Sequence, residues 1–321
     1  MHDGGDHEGA GFRVLVESPQ LLAIVGPTAS GKSALGIAVA ERIGGEIVSC
    51  DSTAVYRKFD IGTDKVPTVL QRGIPHHLVD VVGPTELYSA ARYAREAATT
   101  VRRITAAGRI PIIVGGSGLY YRALVRGLFD GPERDVVLRG RLSRIATQNG
   151  VDRLHQMVAK VDPESARRIH PRDERRLVRA LEVYFLTRRS LTAHFSETKS
   201  LLGEYNVVSF ALRLDPTITA ARVVRRVDRQ FTDGLVAEVR GLLAAGVPAD
   251  AHPFSGLVYR QVIEYLNGVR DETDTRALIV QENKKYARRQ LIWFRKEPNL
   301  QWIDIPGEDP AALNVVLARA V

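Results

Sequence analysis

The segment LLAIVGPTASGKS, residues 21–33, decides the fold. Its first five residues are apolar and have the length of a buried β-strand, and residues 26–33 match the spacing G-x-x-x-x-G-K-S. A helix is predicted from Lys32 to about Ile43, because apolar residues recur on one helical face. A strand, a glycine-containing loop and a helix in this order indicate a phosphate-binding loop, since loop amides and a helix N-terminus both attract anions.

Strands and helices continue to alternate after this segment. Strands are predicted at 46–49 and 110–114, and a helix is predicted at 89–107. This alternation indicates a parallel α/β sheet. Residues 120–200 show only helical patterns, and a strand pattern returns at 207–214.

The predicted elements divide the chain into a core and an insertion. We expect the α/β class, with a P-loop NTPase-like parallel sheet as the core and a mostly helical insertion domain between its strands. The predicted parts are a disordered tail at 1–18, the α/β core at 19–120 and 201–321, and the helical insertion domain at 121–200.

Composition excludes several classes of protein. The chain has 321 residues, of which 45% are hydrophobic and 26% charged, as in soluble globular proteins. Its single cysteine, Cys50, allows neither an intramolecular disulfide nor a zinc site of cysteine and histidine ligands. No apolar stretch has the length of a membrane span, and the N-terminal residues lack the apolar run of a signal peptide. We expect a cytoplasmic, monomeric protein without a membrane partner.

The positive charge of the chain is concentrated in the predicted insertion. The formal net charge is +8, and residues 121–200 contain 17 Lys and Arg against 10 Asp and Glu, a net charge of +7. A surface for nucleic acid or another polyanion is one interpretation. Solvated helix faces rich in arginine are the other.

Each position of the phosphate loop has a physical role. The glycines allow backbone amides to turn toward phosphate oxygens, Lys32 supplies a positive charge, and the Ser33 hydroxyl is placed to bind Mg²⁺, the expected cofactor. The predicted phosphate-binding residues are Gly26, Pro27, Thr28, Ala29, Ser30, Gly31, Lys32 and Ser33.

A carboxylate follows the second predicted strand and not the third. The strand at 110–114 ends in GGSG at 115–118, whereas the strand at 46–49 is soon followed by Asp51. If the first and second strands are neighbours, Asp51 lies beside the phosphate loop. There it could hold a metal ion, accept a proton from a nucleophile, or cap the turn that follows.

Several segments together carry a family resemblance. They are GPTASGKS at 26–33, SCDSTAVYRKFDIGT at 49–63, PHHLVDVVGPTELYSAARY at 75–93, GRIPIIVGGSGLYYRAL at 108–124, ARRIHPRDERRLVRALEVY at 166–184, RRVDRQFTDGLVAEVRGLL at 225–243 and YARRQLIWFR at 286–295. Over roughly residues 20–305, the chain resembles the tRNA dimethylallyltransferases, also called tRNA isopentenyltransferases.

The resemblance implies a reaction and its catalytic residues. The family transfers a dimethylallyl group from dimethylallyl diphosphate to the N6 amine of the adenosine at tRNA position 37, just 3′ of the anticodon. The phosphate loop is then implied to bind the donor diphosphate, with Lys32 and Mg²⁺ on Ser33 neutralising the leaving group and Asp51 acting as the base. Arg222 matches a second cationic contact of the diphosphate. The implied catalytic residues are Asp51, Lys32, Thr28 and Arg222.

The resemblance also implies a tRNA partner, bound at its anticodon stem-loop by the insertion. The target adenine must leave its stack to reach a buried prenyl group. Arg176 and Arg179 are three residues apart and would share a helical face. Residues 284–289 either add phosphate contacts or form a solvated face. The implied tRNA-contacting residues are Asp51, Ser52, Thr53, Ala54, Ser117, Arg175, Arg176, Leu177, Val178 and Arg179.

Three departures from the family pattern lie near the implied base. Thr-Ala at 53–54 stands where a larger side chain is usual, Lys-Phe at 58–59 replaces Gly-Met, and Asp-Lys-Val at 64–66 replaces Ala-Lys-Pro. Ser117 replaces the commoner Thr at the reaction channel. These changes affect the expected base recognition more than phosphate binding.

The chain lacks the zinc-finger extension of eukaryotic relatives, so we expect the bacterial type.

Three other functions are compatible with parts of the sequence. A prenyltransferase acting on free adenine nucleotides would keep the loop and Asp51 without needing the basic insertion. A P-loop kinase of a small metabolite would explain the loop and Asp51 but neither the insertion nor the turn at 115–118. A non-catalytic RNA-binding protein would explain the charge, but it would not need Lys32, Ser33 and Asp51 intact.

Overall fold

The computed structural model describes residues 18–129 and 131–320, so the tail predicted at 1–18 lies, apart from Ser18, outside the described residues. Six strands in these ranges form one sheet in the order β3-β2-β4-β1-β5-β6, and every neighbouring pair is parallel. The strands are β1 Gln20–Val25, β2 Gly45–Ser49, β3 His76–His77, β4 Ile110–Gly115, β5 Asn206–Leu212 and β6 Leu300–Ile303.

Helices cover the sheet and form the insertion. They are α1 Lys32–Ile43, α2 Ala90–Ala106, α3 Gly118–Val125, α4 Val136–Asn149, α5 Val151–Val161, α6 Pro163–Arg168, α7 Glu174–Thr187, α8 Leu191–Ser196, α9 Pro216–Thr232, α10 Leu235–Ala244, α11 Tyr259–Leu266, α12 Glu272–Phe294 and α13 Pro310–Ala320, with 3₁₀ turns at Thr68–Gln71 and His252–Ser255. The predicted α/β fold with a helical insertion is confirmed. None of these helices combines the length and apolar character needed to cross a membrane.

The central strand β1 is buried on both faces. Leu21, Ala23 and Val25 pack into the larger hydrophobic core, and Leu22 and Ile24 pack into a second core under α1. A strand buried on both faces needs a continuous apolar run, which is why the run at 21–25 carries no alternation. As a result, the loop after β1 begins in the middle of the sheet.

The first two strands of the chain are not neighbours in the sheet. β4 lies between them, with Val25 of β1 paired to Gly115 and Ser49 of β2 paired to Val114. Asp51 was expected directly beside the phosphate loop only if these two strands were neighbours, so it does not lie directly beside the loop. Asp51 approaches the loop across the end of β4 instead.

The insertion has a hydrophobic core of its own. Leu142, Leu154, Val158, Leu177 and Leu181 are almost fully buried there, on helices α4, α5 and α7. Burying each such side chain contributes about 1.5–3 kcal/mol.

Helix α3 lies at the predicted start of the insertion, residue 121, and packs with the sheet core. Helix α3 belongs to the sheet core, because Tyr121 and Leu124 pack into the larger core, as does Leu202 beyond the insertion. The helices with the separate core are α4 to α8.

Candidate active site at the carboxyl edge of the sheet

One cavity of about 540 Å³ lies where the carboxyl ends of β1, β2 and β4 meet. Its lining includes Thr28, Lys32 and Ser33 from the phosphate loop and α1, and Asp51 from the segment after β2. Arg226 of α9 closes part of the wall. The cavity thus combines cations, hydroxyls and a carboxylate that come from distant parts of the sequence.

The phosphate loop adopts a backbone that depends on glycine. Gly31 has φ +90°, and a Cβ there would collide with Gly307 and Glu308, which cover the outside of the loop. Ala29 also has a positive φ of 62°. Ser30 is buried, and its hydroxyl has no hydrogen-bond partner within the described ranges.

Lys32 stands in the first turn of α1 and faces the cavity. Its Nζ donates to the Pro27 carbonyl at 3.3 Å. Burial lowers the pKa of Lys32 from its usual value, and the negative charges of Asp51 and Asp64 oppose this effect. An anion bound in the cavity would stabilise the charged ammonium, so this lysine suits a phosphate-bearing ligand.

Thr28 is held by two residues that the sequence reasoning missed. Its backbone N–H donates to Gln290 Oε1 at 2.9 Å, and Gln290 Nε2 donates to the Gly116 carbonyl at 2.9 Å. Gln290 of α12 therefore connects the loop after β1 to the turn after β4. The Thr28 hydroxyl accepts a hydrogen bond from Arg226.

The Asp51 carboxylate is fixed through one of its oxygens. Oδ1 accepts from the Thr53 N–H at 2.8 Å, from the Thr53 hydroxyl at 2.6 Å and from the Ala54 N–H at 3.4 Å. Within the described ranges, Oδ2 has no hydrogen-bond partner. The turn that Asp51 caps thus orients a second oxygen that is free to accept a proton, so the capping and base interpretations are compatible.

Ser52 and Ser117 form a contact behind this turn. The Ser52 N–H donates to Ser117 Oγ at 2.8 Å, and the Ser117 hydroxyl donates to Ser52 Oγ at 3.1 Å. Ser52, Thr53 and Ala54 line the cavity, whereas Ser117 lies outside the lining. Ser117 therefore positions the 51–54 turn from behind.

The structure does not bring Arg222 to the cavity lining. Its Nε donates to the Ala29 carbonyl at 2.6 Å, and its Nη2 contacts Glu308 at 2.5 Å. Arg226, one helical turn further along α9, lines the cavity instead. Arg222 supports the outer side of the loop, and the prediction that it contacts the diphosphate gains no support from this geometry.

The predicted tRNA-contacting residues of α7 have different surroundings. Arg175 and Arg176 are exposed, and Arg176 contacts Asp173 at 3.3 Å. Leu177 and Val178 are 0% and 5% exposed in the insertion core, because the helical repeat turns these two positions inward. Their contact with tRNA stays a prediction that this burial does not favour.

Arg179 is occupied by contacts within the insertion. It donates to the Pro132 carbonyl at 3.0 Å and to Glu182 Oε2 at 2.6 Å. Burial of Glu182 would raise its pKa, but hydrogen bonds from Arg139, Arg179 and the Asp135 N–H outweigh burial and lower the pKa to about 2. Arg179 therefore compensates a buried carboxylate, and Arg175 and Arg176 are the cations that α7 presents outward.

Residues 284–289 form neither a uniform solvated face nor a purely basic one. Lys284, Lys285, Arg288 and Arg289 are exposed, and Arg289 also lines the cavity together with the half-buried Tyr286. Burial and the charge of Asp51 raise the pKa of Tyr286 to about 12, so its phenol stays protonated at neutral pH. Other cavity residues that the motifs did not indicate are His252, Tyr259 and Asn283.

A parallel sheet, a phosphate loop and a carboxylate on one cavity are typical of α/β enzymes that handle phosphorylated ligands. A sequence model described as IPP transferase matches residues 54–297. The tRNA dimethylallyltransferase of Solibacter usitatus is 42% identical over 93% of this chain and 97% of that protein, and that of Geobacter metallireducens is 42% identical over 94% and 97%. The chain belongs to the IPP transferase family, as its motifs predicted.

Solved structures agree with this assignment. The full-length tRNA isopentenylpyrophosphate transferase of Bacillus halodurans superposes with a TM-score of 0.69 at 34% identity, covering 94% of this chain and 96% of that one. A eukaryotic dimethylallyltransferase, solved in crystallographic snapshots of its action on tRNA, superposes with a TM-score of 0.78 at 25% identity, covering 93% and 78%. The fold is thus shared across bacterial and eukaryotic members.

Proposed function

We propose that this protein transfers a dimethylallyl group from dimethylallyl diphosphate to the N6 amine of adenosine 37 in tRNA. A bond forms between N6 and the first prenyl carbon, the bond from that carbon to the diphosphate oxygen breaks, and the amine loses a proton. The products are N6-(dimethylallyl)adenosine and diphosphate. Relatives that match nearly the whole chain are named tRNA dimethylallyltransferases, which supports this reaction over transfer to a free nucleotide and over a kinase.

The observation that carries the proposal is the cavity shared by Lys32 and Asp51. Lys32 comes from the loop after β1 and Asp51 from the segment after β2, yet their charges interact strongly enough to affect the pKa of Lys32. Alkylation of an adenine amine by a diphosphate ester needs an anion site and a proton acceptor within one cavity. This arrangement supplies both.

Lys32, Arg226 and Thr28 would hold the diphosphate. Lys32 and Arg226 place two positive charges on the cavity wall, and Thr28 links Arg226 to the phosphate loop. Negative charge grows on the diphosphate as the carbon–oxygen bond breaks. Cations that are already in position stabilise this charge without reorganising, which lowers the barrier.

Asp51 would accept the proton from the amine. The adenine amine is a weak nucleophile because its lone pair is delocalised into the ring, so its proton must leave as the new bond forms. The three donors on Oδ1 keep the carboxylate in one orientation. The second oxygen would then be available to the entering amine, and a positioned base of this kind contributes about 10²–10⁴-fold to the rate.

The residues of the cavity fit a magnesium ion that is held mainly by the substrate. No group of three or more His, Cys, Asp or Glu side chains suited to a metal occurs in the described part of the chain. The Ser33 hydroxyl lines the cavity at the start of α1. One protein hydroxyl together with diphosphate oxygens and water is a usual magnesium environment, and the ion supplies charge neutralisation of the leaving group when bound.

The insertion would bind the anticodon stem-loop. Its outward cations on α7 are Arg175 and Arg176, and the structure of a eukaryotic dimethylallyltransferase acting on tRNA shares this fold. Anticodon loops are recognised through phosphates, shape and unstacked bases, which suits a helical surface of exposed arginines. A cytoplasmic location and a monomeric state stay predictions.

A transfer assay with two acceptors tests the proposal. Purified protein is incubated with labelled dimethylallyl diphosphate, Mg²⁺ and either unmodified tRNA or adenosine monophosphate. We expect label on tRNA alone; label on the mononucleotide would show the free-nucleotide enzyme instead. Asp51→Asn keeps the shape of the carboxylate and should slow transfer by roughly 10²-fold or more without changing tRNA affinity. A normal rate in this variant would mean that Asp51 only caps the turn and is not the base.

A further inference from the structure

Asp64 places a carboxylate in the cavity at a position where the family pattern has alanine. Two arginines of α9 contact it. Oδ1 lies 2.5 Å from Arg229 Nη2, and Oδ2 lies 3.4 Å from Arg226 Nη1. One oxygen of Asp64 therefore faces the same arginine that we assign to the diphosphate.

The loop that carries Asp64 is fixed on both sides. Glu238 of α10 accepts hydrogen bonds from the Asp60 and Ile61 backbone amides at 2.9 and 2.8 Å. Lys65 Nζ contacts the Asp60 carboxylate at 2.7 Å, and the Lys65 side chain is only 7% exposed. Asp64 has φ +57°, a conformation in which Asp and Asn are enriched. Its carboxylate is thus held at the cavity wall.

The other carboxylates of the cavity have different roles. Among the lining residues of the described chain, the acidic ones are Asp51, Asp64 and Glu282. Asp51 is bound in its own turn, and Glu282 contacts Lys285 at 2.9 Å. Asp64 is the one of the three that forms an ion pair with a cation of the diphosphate site.

Arg226 does not depend on Asp64 for its orientation. The same Nη1 atom donates a hydrogen bond to the Thr28 hydroxyl, which is closer than Asp64. Removing the carboxylate would leave Arg226 anchored by Thr28 and with more of its charge available to an anion. The negative charge of Asp64 would also repel a diphosphate directly.

We propose that Asp64 competes with diphosphate for Arg226, so that the cavity binds the diphosphate product less tightly and releases it faster. This inference rests on the proposed function, because it takes the cavity to be a diphosphate site. Asp64 is one-third exposed and also paired with Arg229, so solvent and that arginine screen its charge. We therefore expect a moderate effect, roughly threefold to tenfold in affinity.

Inorganic pyrophosphate binding to the full chain, measured by calorimetry without tRNA, tests this role. Asp64→Asn removes the charge, keeps the side-chain shape and tolerates the positive φ. We expect it to bind pyrophosphate roughly threefold to tenfold more tightly than the wild type, with a smaller difference at high salt. The matched control is Asp233→Asn, because Asp233 lies 3.9 Å from Arg229 but outside the cavity lining. It should bind as the wild type does.

The outcomes separate the role of Asp64 from the proposed function. In steady-state transfer, Asp64→Asn should show stronger product inhibition by diphosphate, a readout that a purely structural change would not strengthen. Equal or weaker pyrophosphate binding by Asp64→Asn overturns the proposal, with weaker binding indicating that Asp64 orients Arg226. If pyrophosphate fails to bind the wild type, or binds Lys32→Ala equally well, the assignment of the cavity as a diphosphate site is wrong. Both proposals are then refuted.

Discussion

Gln290→Leu removes the connection between the phosphate loop and the turn after β4. Gln290 is 8% exposed, and its amide makes two hydrogen bonds of 2.9 Å, one with the Thr28 N–H and one with the Gly116 carbonyl. Leucine has a similar volume, so the substitution deletes the polar contacts and leaves little empty space. Two backbone groups then have no partners in a buried place.

The expected cost follows from these two groups. An unpartnered buried donor or acceptor costs about 1–3 kcal/mol, so for two such groups we expect the free energy of unfolding to fall by about 2–6 kcal/mol. For a chain of this length that corresponds to a decrease of roughly 3–9 °C in Tm. Because Thr28 belongs to the anion site, we also expect a higher KM for dimethylallyl diphosphate.

Urea and thermal unfolding, followed by circular dichroism, measure this effect. The matched control is Gln281→Leu, the same substitution at an exposed position of the same helix, which should change the free energy of unfolding by less than about 0.5 kcal/mol. If Gln290→Leu is as stable as this control and keeps the wild-type KM, the bridge contributes nothing, and the reasoning from its two hydrogen bonds is refuted.

Thr53→Val removes the hydroxyl that donates to Asp51, so we expect roughly tenfold slower single-turnover transfer at unchanged tRNA affinity. Arg176→Ala should make the negative slope of log tRNA affinity against log salt shallower by up to roughly 0.9, because one arginine no longer neutralises a phosphate. Arg179→Ala should instead lower the free energy of unfolding by about 1–3 kcal/mol, because it removes a partner of a buried carboxylate. Cys50, whose pKa burial raises to about 12, should resist a thiol reagent at pH 8 until the protein is unfolded in urea.

Each of these outcomes has a clear opposite. A normal transfer rate in Thr53→Val would mean that backbone amides alone orient the base. An unchanged salt slope in Arg176→Ala would place the tRNA surface elsewhere. A stable Arg179→Ala variant with weakened tRNA binding would restore the interpretation of that residue as a tRNA contact. Rapid modification of Cys50 in the folded protein would show that the sheet edge opens.

The elements around the phosphate loop could be predicted because local patterns encode them. α1 runs from Lys32 to Ile43 as predicted, and β2 and β4 extend the predicted strands by one residue each. Apolar runs, a glycine loop and a helical repeat are all contained within a few residues of each element. β3 and β6 were missed because two and four residues are too short to show a periodic pattern.

The contacts of the site depend on tertiary structure, which the local patterns do not contain. Arg222 and Arg226 lie one turn apart on α9, and both are candidates for a diphosphate contact. Only the packing of α9 against the loop decides that Arg226 enters the cavity while Arg222 contacts the Ala29 carbonyl. Likewise, the position of β4 between β1 and β2 has no signal in the motif spacing.

One missed residue did leave a signal in the sequence. The buried positions of α12 include Ile279, Asn283, Ala287, Gln290 and Phe294, which follow each other at helical spacing. Two amides within an otherwise apolar stripe have to find buried partners, because unpaired polar groups are costly in a core. This pattern points to a polar bridge in the core, although it does not say what the bridge joins.

The outer wall of the phosphate loop comes from a distant part of the sequence. The Ser30 carbonyl accepts a hydrogen bond from the Gly307 N–H at 3.0 Å, and Glu308 holds Arg222 against the same loop. During synthesis the ribosome therefore makes the loop long before it makes the segment that supports it. A nascent chain that has not reached Gly307 and Glu308 carries the complete anion-binding motif without the contacts that shape it, so the reaction site is complete only after that segment has been added.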